Sequence, residues 1–324
     1  MEGYSKILVT GGAGFIGSHL VDRLVKEGYE VVVLDNFFTG DVENITHHLE
    51  SGMFRLVKGD VRSSGSVKEA IRNVDTVFHL AAIANVPLSI ENPLLVNDVN
   101  VGGTLKLLEA SLKADVKRFI YTSSSAVYGE VNHLPIDERC PADPISPYAV
   151  SKLAAEYYCK VFYENYGLNT LCLRYFNVYG PRQAKNSYSG VITLFIDRLK
   201  QRKPPIIYGD GLQTRDFVHV KDVIEANTLA LNCQQGFGAV INVGTGKPTT
   251  INQLAEVLLE LSGKNDLKPK YAAPRKGDIR NSCADISKAK RALGYKPKVA
   301  LKEGLRIMLK SEQCRENYES CHDK

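Results

Sequence analysis

Lys6-Ile7-Leu8-Val9-Thr10-Gly11-Gly12-Ala13-Gly14-Phe15-Ile16-Gly17 decides the fold, because a helical pattern runs on from Phe15 to Gly28. The aliphatic run reads as a buried strand. Glycines without Cβ atoms permit a tight turn, close backbone approach to a diphosphate, and close helix–strand packing. The helix that begins there offers unpaired N–H groups and its dipole to phosphate charge. A glycine fingerprint alone is weak evidence. Here it lies between a strand and a helix, and the second strand, Glu30–Asp35, ends in a carboxylate at the expected distance. Gly11, Gly14, Phe15, Ile16 and Gly17 are therefore expected to hold a dinucleotide.

Asp35 also selects the cofactor. Its carboxylate accepts hydrogen bonds from a ribose diol and repels a 2′-phosphate, and Asn36-Phe37-Phe38 supplies no arginine. NAD is expected over NADP, with Asn36, Thr39 and Gly40 counted in the same site. Asp60-Val61, at the end of the third strand, are placed at the adenine, where Asp60 meets its amino group; the competing reading makes Asp60 a helix cap.

Working outward, Phe54–Gly59, Thr76–Leu80, Lys117–Ser123, Asn169–Tyr175 and Ala239–Val243 read as further strands. They are almost continuously apolar, as parallel strands covered on both faces are. Phe15–Gly28, Ser66–Asn73, Leu94–Ala114 and Pro147–Tyr166 read as helices between them. This order predicts an α/β fold, a Rossmann-type doubly wound parallel sheet. After Tyr175 prolines and glycine-rich turns break the pattern into shorter elements, a smaller C-terminal substrate-binding lobe. The NAD-binding domain is drawn at 1–175 plus about 217–245, and the lobe at about 176–216 plus 246–324, with a frayed helix end after Ser311.

With 324 residues, 44% of them apolar and 24% charged, the chain is composed as a globular domain rather than a disordered one. A net charge of +5 without a basic stripe argues against nucleic acid. No apolar run reaches membrane-spanning length, and the first strand starts too early for a signal peptide, so a cytoplasmic location is expected. Seven cysteines without close pairing read as reduced thiols, and Cys314, Cys321 and His322 in the polar tail are not taken as a metal site; no metal is expected.

Tyr148-Ala149-Val150-Ser151-Lys152 lies just inside a helix after Pro144 and Pro147. A spacing of four puts phenol and ammonium on one face. A tyrosine is a poor base at its ordinary pKa of about 10, and a neighbouring ammonium favours the phenolate. Strand five ends in Tyr121-Thr122-Ser123-Ser124-Ser125, where Ser124 can bridge a substrate hydroxyl to that phenolate.

The glycine loop, the strand-end serine and Tyr-x-x-x-Lys, in this order, resemble the extended short-chain dehydrogenases/reductases. The likeness covers nearly the whole chain. His79-Leu80-Ala81-Ala82 looks like the family's loop behind the nicotinamide. Arg174 to Arg182, Tyr208 to Gly211, Arg215 to Val220, Asn242 to Gly246 and Arg275 to Asp278 are similar to its nucleotide-sugar branch, above all to UDP-glucose and UDP-N-acetylglucosamine 4-epimerases. The resemblance implies Ser124, Tyr148 and Lys152 as the catalytic set. It places Leu80, Ala81, Ala82, Asn100, Ser123, Tyr148, Lys152, Tyr175 and Phe176 against the cofactor. Ser124, Tyr148, Asn177, Val191, Tyr208, Arg215, Arg275, Asp278 and Ser282 would meet the substrate, with Arg215 and Arg275 clamping the diphosphate and Asp278 the uridine ribose. His219, in an apolar run, reads as a satisfied packing residue.

Relatives that dehydrate the sugar carry Asp-Glu after the strand-five hydroxyl, and decarboxylases carry a glutamate, whereas this chain has Ser125-Ala126. Uronate 4-epimerases carry threonine where this chain has Asn177. The resemblance thus implies NAD-dependent 4-epimerisation of a neutral UDP-hexose through a transient 4-keto sugar, with UDP-glucuronate epimerisation or another nucleotide-sugar oxidoreductase as the alternative. It implies small Ser282 beside the C2 substituent, leaving space for an N-acetyl group. It also implies a homodimer through Leu94–Ala114 and Pro147–Tyr166, with Leu153, Tyr157 and Val161 facing outward.

Overall fold

The structure, a computed structural model, describes residues 6–183, 190–275 and 279–322, with side chains described as far as Glu312. The first half runs β1 (Lys6–Thr10), α1 (Phe15–Lys26), β2 (Glu30–Asp35), β3 (Phe54–Lys58), α2 (Ser64–Ala70), β4 (Thr76–His79), α3 (Val86–Glu91), α4 (Pro93–Asn97), α5 (Thr104–Lys113), β5 (Arg118–Ser124), α6 (Pro147–Tyr166) and β6 (Thr170–Tyr175). The second half runs β7 (Asn177–Tyr179), α7 (Val191–Lys200), β8 (Ile206–Tyr208), β9 (Thr214–Arg215), β10 (Phe217–His219), α8 (Val220–Asn232), β11 (Val240–Val243), β12 (Thr249–Thr250), α9 (Ile251–Leu261), β13 (Lys270–Ala272), α10 (Ser287–Leu293) and α11 (Leu301–His322).

Seven parallel strands form the main sheet in the order β3-β2-β1-β4-β5-β6-β11. Alternation along each strand feeds two separate cores. Ile7, Val9, Val31 and Val33 pack with α1 and α8, while Leu8, Val32, Leu34 and Val77 pack with α2, α5 and α6 on the other face. A third core, built on α7, α9 and α11 around Ile207 and Phe217, forms the smaller lobe. We keep the domain boundaries drawn from the sequence as a proposal; Ala289, Leu293 and Tyr295, from the segment given there to the lobe, pack into the first sheet core.

Two helices differ from expectation. Leu94–Ala114 is not continuous, because α4 passes through a π-helical segment, Asp98–Gly103, before α5. A Cβ at Gly103 would stand 2.7 Å from Val61 Cγ2, so that turn presses against the β3–α2 loop. The residues after Ser311, expected as a helix end, continue α11 to His322. By contrast α6 matches the expected range. Ser146 accepts from Ala149 N at its start, Pro147 occupies the first turn, and Gly167 in the left-handed region ends it. Cys140, Cys159, Cys172, Cys233 and Cys283 are free thiols. Among the described residues no helix is long and apolar enough to cross a membrane.

Candidate active site

The carboxyl ends of β1, β2, β4, β5 and β6 open into one cleft of about 600 Å3. Ligands of such sheets bind at this edge, where the strand order reverses. Gly11 takes φ +70, and a Cβ there would stand 2.8 Å from the Ala81 nitrogen. A Cβ at Gly17 would stand 2.1 Å from the Gly11 carbonyl oxygen. No side chain caps α1 at Gly14. Its first-turn N–H groups, beside Gly14, Phe15, Ile16 and Gly17 in the cleft wall, are therefore available to an anion. The cradle fits a dinucleotide diphosphate.

At the end of β2 the buried Asp35 carboxylate accepts from Ala13 N at 2.9 Å and Phe37 N at 2.8 Å. Burial raises its pKa and these two donors oppose the rise. Asn36, Thr39 and Gly40 line the same end. Asp60 lines it too, with its carboxylate bonded to protein donors. Arg62 donates to both its oxygens, from Nε at 2.9 Å and an Nη at 2.8 Å, and Asn36 adds a third bond at 2.7 Å. These donors, Arg62 first, hold Asp60 down to about 2. The competing cap reading does not hold, because Ser63 caps α2.

At the other end Ser124, Tyr148 and Lys152 meet. Ser124 turns the chain from β5 into a 3-10 turn, its Oγ accepting from Ala126 N at 3.2 Å and bonding the Tyr148 hydroxyl. The Lys152 ammonium donates to Thr122 O at 2.8 Å and lies 4.9 Å from the Tyr121 ring centre. Burial raises the Tyr148 pKa, opposed by the Ser124 hydrogen bond. The ammonium is turned toward Thr122, and burial brings its own pKa down to about 8. The sources of stabilisation open to a phenolate here are the Ser124 bond, the ammonium one turn along α6, and bound ligand charge.

The chain matches the family model described as GDP-mannose 4,6 dehydratase over residues 8–308. The chain belongs to the extended short-chain dehydrogenases/reductases. Within them it is an epimerase. It is 44% identical over 302 residues to a putative UDP-glucose 4-epimerase of Methanocaldococcus jannaschii, covering 93% of this chain and 96% of that protein. It resembles the UDP-N-acetylglucosamine 4-epimerase of Methanobrevibacter ruminantium, solved in complex with UDP-N-acetylmuramic acid, at 40% identity and TM-score 0.91, covering 96% and 99% of the two chains. It also resembles the Thermus thermophilus UDP-glucose 4-epimerase solved with NAD, at 39% identity and TM-score 0.86, covering 95% and 99%.

Not every residue assigned by the family resemblance reaches the cleft. Val61, Leu80, Ala81, Ala82, Tyr175, Phe176, Asn177 and Arg215 line it. Asn100 does not; it lies buried behind the wall, bonding both backbone groups of Ile83 and the Ser151 hydroxyl. Ser123 reaches the cleft, yet its hydroxyl turns away to Glu156. Val191 and Tyr208 are half-buried outside the described wall, and Arg275 stacks on Tyr208 with its guanidinium 3.9 Å from the ring centre. Asp278 lies outside the described residues. Ser282 is 1% exposed and so no surface residue; its N–H donates to Thr214 O beside Arg215. His219 is buried and only half satisfied, with Nδ1 accepting from Lys221 N and Nε2 without a partner.

The family pattern also missed wall residues. Ile83, Ala84, Gln183 and Ile279 line the cleft with no motif to mark them. Arg62 was missed although it stands two residues after Asp60. Asp22, His47 and His48 are the one group among the described residues whose ligand atoms cluster, all within 4.8 Å of one another. Asp22 already pairs with Arg182 at 2.8 Å, and both imidazoles bond its other oxygen, so the group clasps α1 to two loops.

Proposed function

We propose that this chain is an NAD-dependent 4-epimerase of UDP-hexoses. The observation that carries the reading is the Ser124–Tyr148–Lys152 set at one end of a cleft whose other end holds the Gly11–Gly17 cradle and Asp35. NAD, when bound, supplies a reversible hydride acceptor for sugar C4. Tyr148 takes the proton of the 4-hydroxyl, directly or through Ser124, and returns it after the transient 4-keto sugar has turned. Lys152 holds the nicotinamide ribose and Arg215 the diphosphate. The cleft's described carboxylates, Asp35 and Asp60, both lie at the adenosine end. An acid–base pair able to expel a sugar hydroxyl is therefore not supplied by the described wall, which favours epimerisation over dehydration. Incubation with UDP-glucose, UDP-N-acetylglucosamine and UDP-glucuronate, with products resolved, tests the reading; net NADH release or a uronate-only product overturns it.

Asp35 is the cofactor selector in this reading. Replacing Asp35 by Ala and Asn36 by Arg is expected to admit NADP, because a repelling carboxylate gives way to a guanidinium. Arg62 cannot play that part in the wild type, since Asp60 and Asp98 hold it. Titration of both cofactors against both proteins checks this, and equal wild-type affinity for NAD and NADP removes Asp35 from the role.

Ser282 is the proposed gate for the sugar's C2 substituent. UDP-N-acetylglucosamine is expected to be accepted alongside UDP-glucose. Ser282→Tyr puts a large ring at a 1% exposed position, and overpacking costs about 1–3 kcal/mol. The acetylated substrate should lose activity at least tenfold more than the plain one. Equal losses exclude the gate.

We also propose a homodimer through α4–α6. Tyr157 and Val161 are 61% and 40% exposed on α6, and Leu94 is 83% exposed on α4. Leu153, expected among them, is instead partly buried against the sheet core. Light scattering at micromolar concentration should return twice the chain mass, and a monomer mass refutes the assembly.

A further inference from the structure

Behind Lys152 the fold holds a buried ion pair that the reaction described above does not use. Tyr148, Lys152 and Glu156 follow one another at intervals of four along α6, so all three side chains project from one face. Glu156 is 5% exposed, as is Arg174 on β6. Arg174 grips both oxygens of Glu156, from Nε at 2.8 Å and an Nη at 2.6 Å. Ser123, one residue before Ser124, donates its hydroxyl to the same carboxylate at 2.5 Å. The guanidinium in turn stacks 4.6 Å from the Tyr128 ring centre, and the Tyr128 hydroxyl donates to Asn242 at 2.7 Å.

A buried ion pair is a poor device for stability alone, because apolar residues of the same volume often serve as well or better. Its chemistry suits another task. An ammonium as buried as Lys152 tends to lose its proton unless a counter-charge is held near it. Around Lys152 stand the Tyr121 ring from β5, Glu156 and Cys159 from α6, Cys172 from β6 and His79 from β4, with Tyr148 one turn earlier on α6 and Arg174 from β6 held behind Glu156. His79 is neutral, bonded to Thr10 and Thr104 and pushed down to about 3 by burial. Both thiols are buried. Glu156 is the carboxylate of the set.

We propose that Glu156, clamped by Arg174, is a positioning residue that keeps Lys152 protonated beside Tyr148 and fixes the strand end carrying Ser124. Arg174 and Ser123 lock the carboxylate's orientation, and Glu156 places its charge one helical turn beyond Lys152 on α6. In keeping with this, burial lowers the Lys152 pKa and Glu156 is the largest influence opposing the fall. The proposal rests on the epimerase reading only for its effect on turnover; the effect on Lys152 is independent of substrate.

The test follows the Lys152 Nζ resonance in protein labelled with 15N-lysine, assigned by its loss in Lys152→Arg. Glu156→Gln keeps the side-chain shape and removes the charge, and the Lys152 midpoint should fall by about one pH unit. Glu156→Gln alone leaves Arg174 buried and unpaired, which lowers stability whatever the role. The deciding protein is therefore Glu156→Gln with Arg174→Gln. Its thermal stability should recover toward wild type while the Lys152 midpoint stays low, and the alkaline limb of kcat should move down with it. Glu156→Asp should restore most of the midpoint. A wild-type midpoint in the double variant overturns the proposal. A lowered midpoint in a protein that turns over no UDP-sugar, even as wild type, upholds the positioning role and overturns the epimerase reading instead.

Discussion

Tyr148→Phe is expected to lower epimerisation by about 10^2- to 10^4-fold, the range that one positioned general acid–base contributes. The substitution removes one oxygen from a side chain that is 9% exposed, so packing in the first turn of α6 is nearly unchanged. Ser124 loses its bond to the phenol but keeps the one from Ala126 N. Dinucleotide binding should persist, because the glycine cradle and Asp35 lie at the other end of the cleft. The informative measurement pairs turnover of UDP-glucose with the amount of NAD retained. A Tyr148→Phe variant that epimerises at more than about a tenth of the wild-type rate excludes Tyr148 as the proton acceptor. Burial holds the phenol above its ordinary pKa, so the wild-type rate should rise with pH as the phenolate fraction grows. This rise continues until Lys152, near 8 before ligand binding, begins to lose its proton.

Gly17→Ala is the second large effect expected. A Cβ at this position would lie 2.1 Å from the Gly11 carbonyl oxygen and 2.9 Å from the Gly12 Cα. Both contacts are backbone atoms of the tight turn, so neither can rotate away as a flexible side chain would. Relief requires α1 to move off the end of β1. That would pull the helix N-terminus away from the diphosphate and disturb the core at Leu20, Val21 and Leu24. A loss of about 3 kcal/mol, the upper part of the overpacking range, is expected together with loss of bound NAD. Thermal unfolding with and without added NAD measures both parts. If Gly17→Ala melts at the wild-type temperature and responds equally to NAD, close packing at this turn is not what holds the cradle.

The sequence alone carried what local chemistry decides. Ser146, Pro147 and Gly167 bound α6 because a cap, a preset φ and a left-handed terminus are properties of single residues. The glycine loop was legible for a similar reason, since its turn and its helix start are contiguous in the chain. The phenol–ammonium spacing follows from helix geometry alone. The remainder depended on partners far apart in sequence. The π-helical break before α5 answers to Val61, and Asn100 turns from the cleft because Ile83 and Ser151 claim its amide. Arg62 reaches the adenosine end because Asp98, 36 residues away, helps to hold it there. Ser123 and Ser124 are adjacent and chemically alike, yet strand alternation sends one hydroxyl to Glu156 and leaves the other with Tyr148. Spacing shows that an ammonium lies one turn from the phenol; only the packed structure shows that burial raises the Tyr148 pKa and that the ammonium donates to Thr122 O.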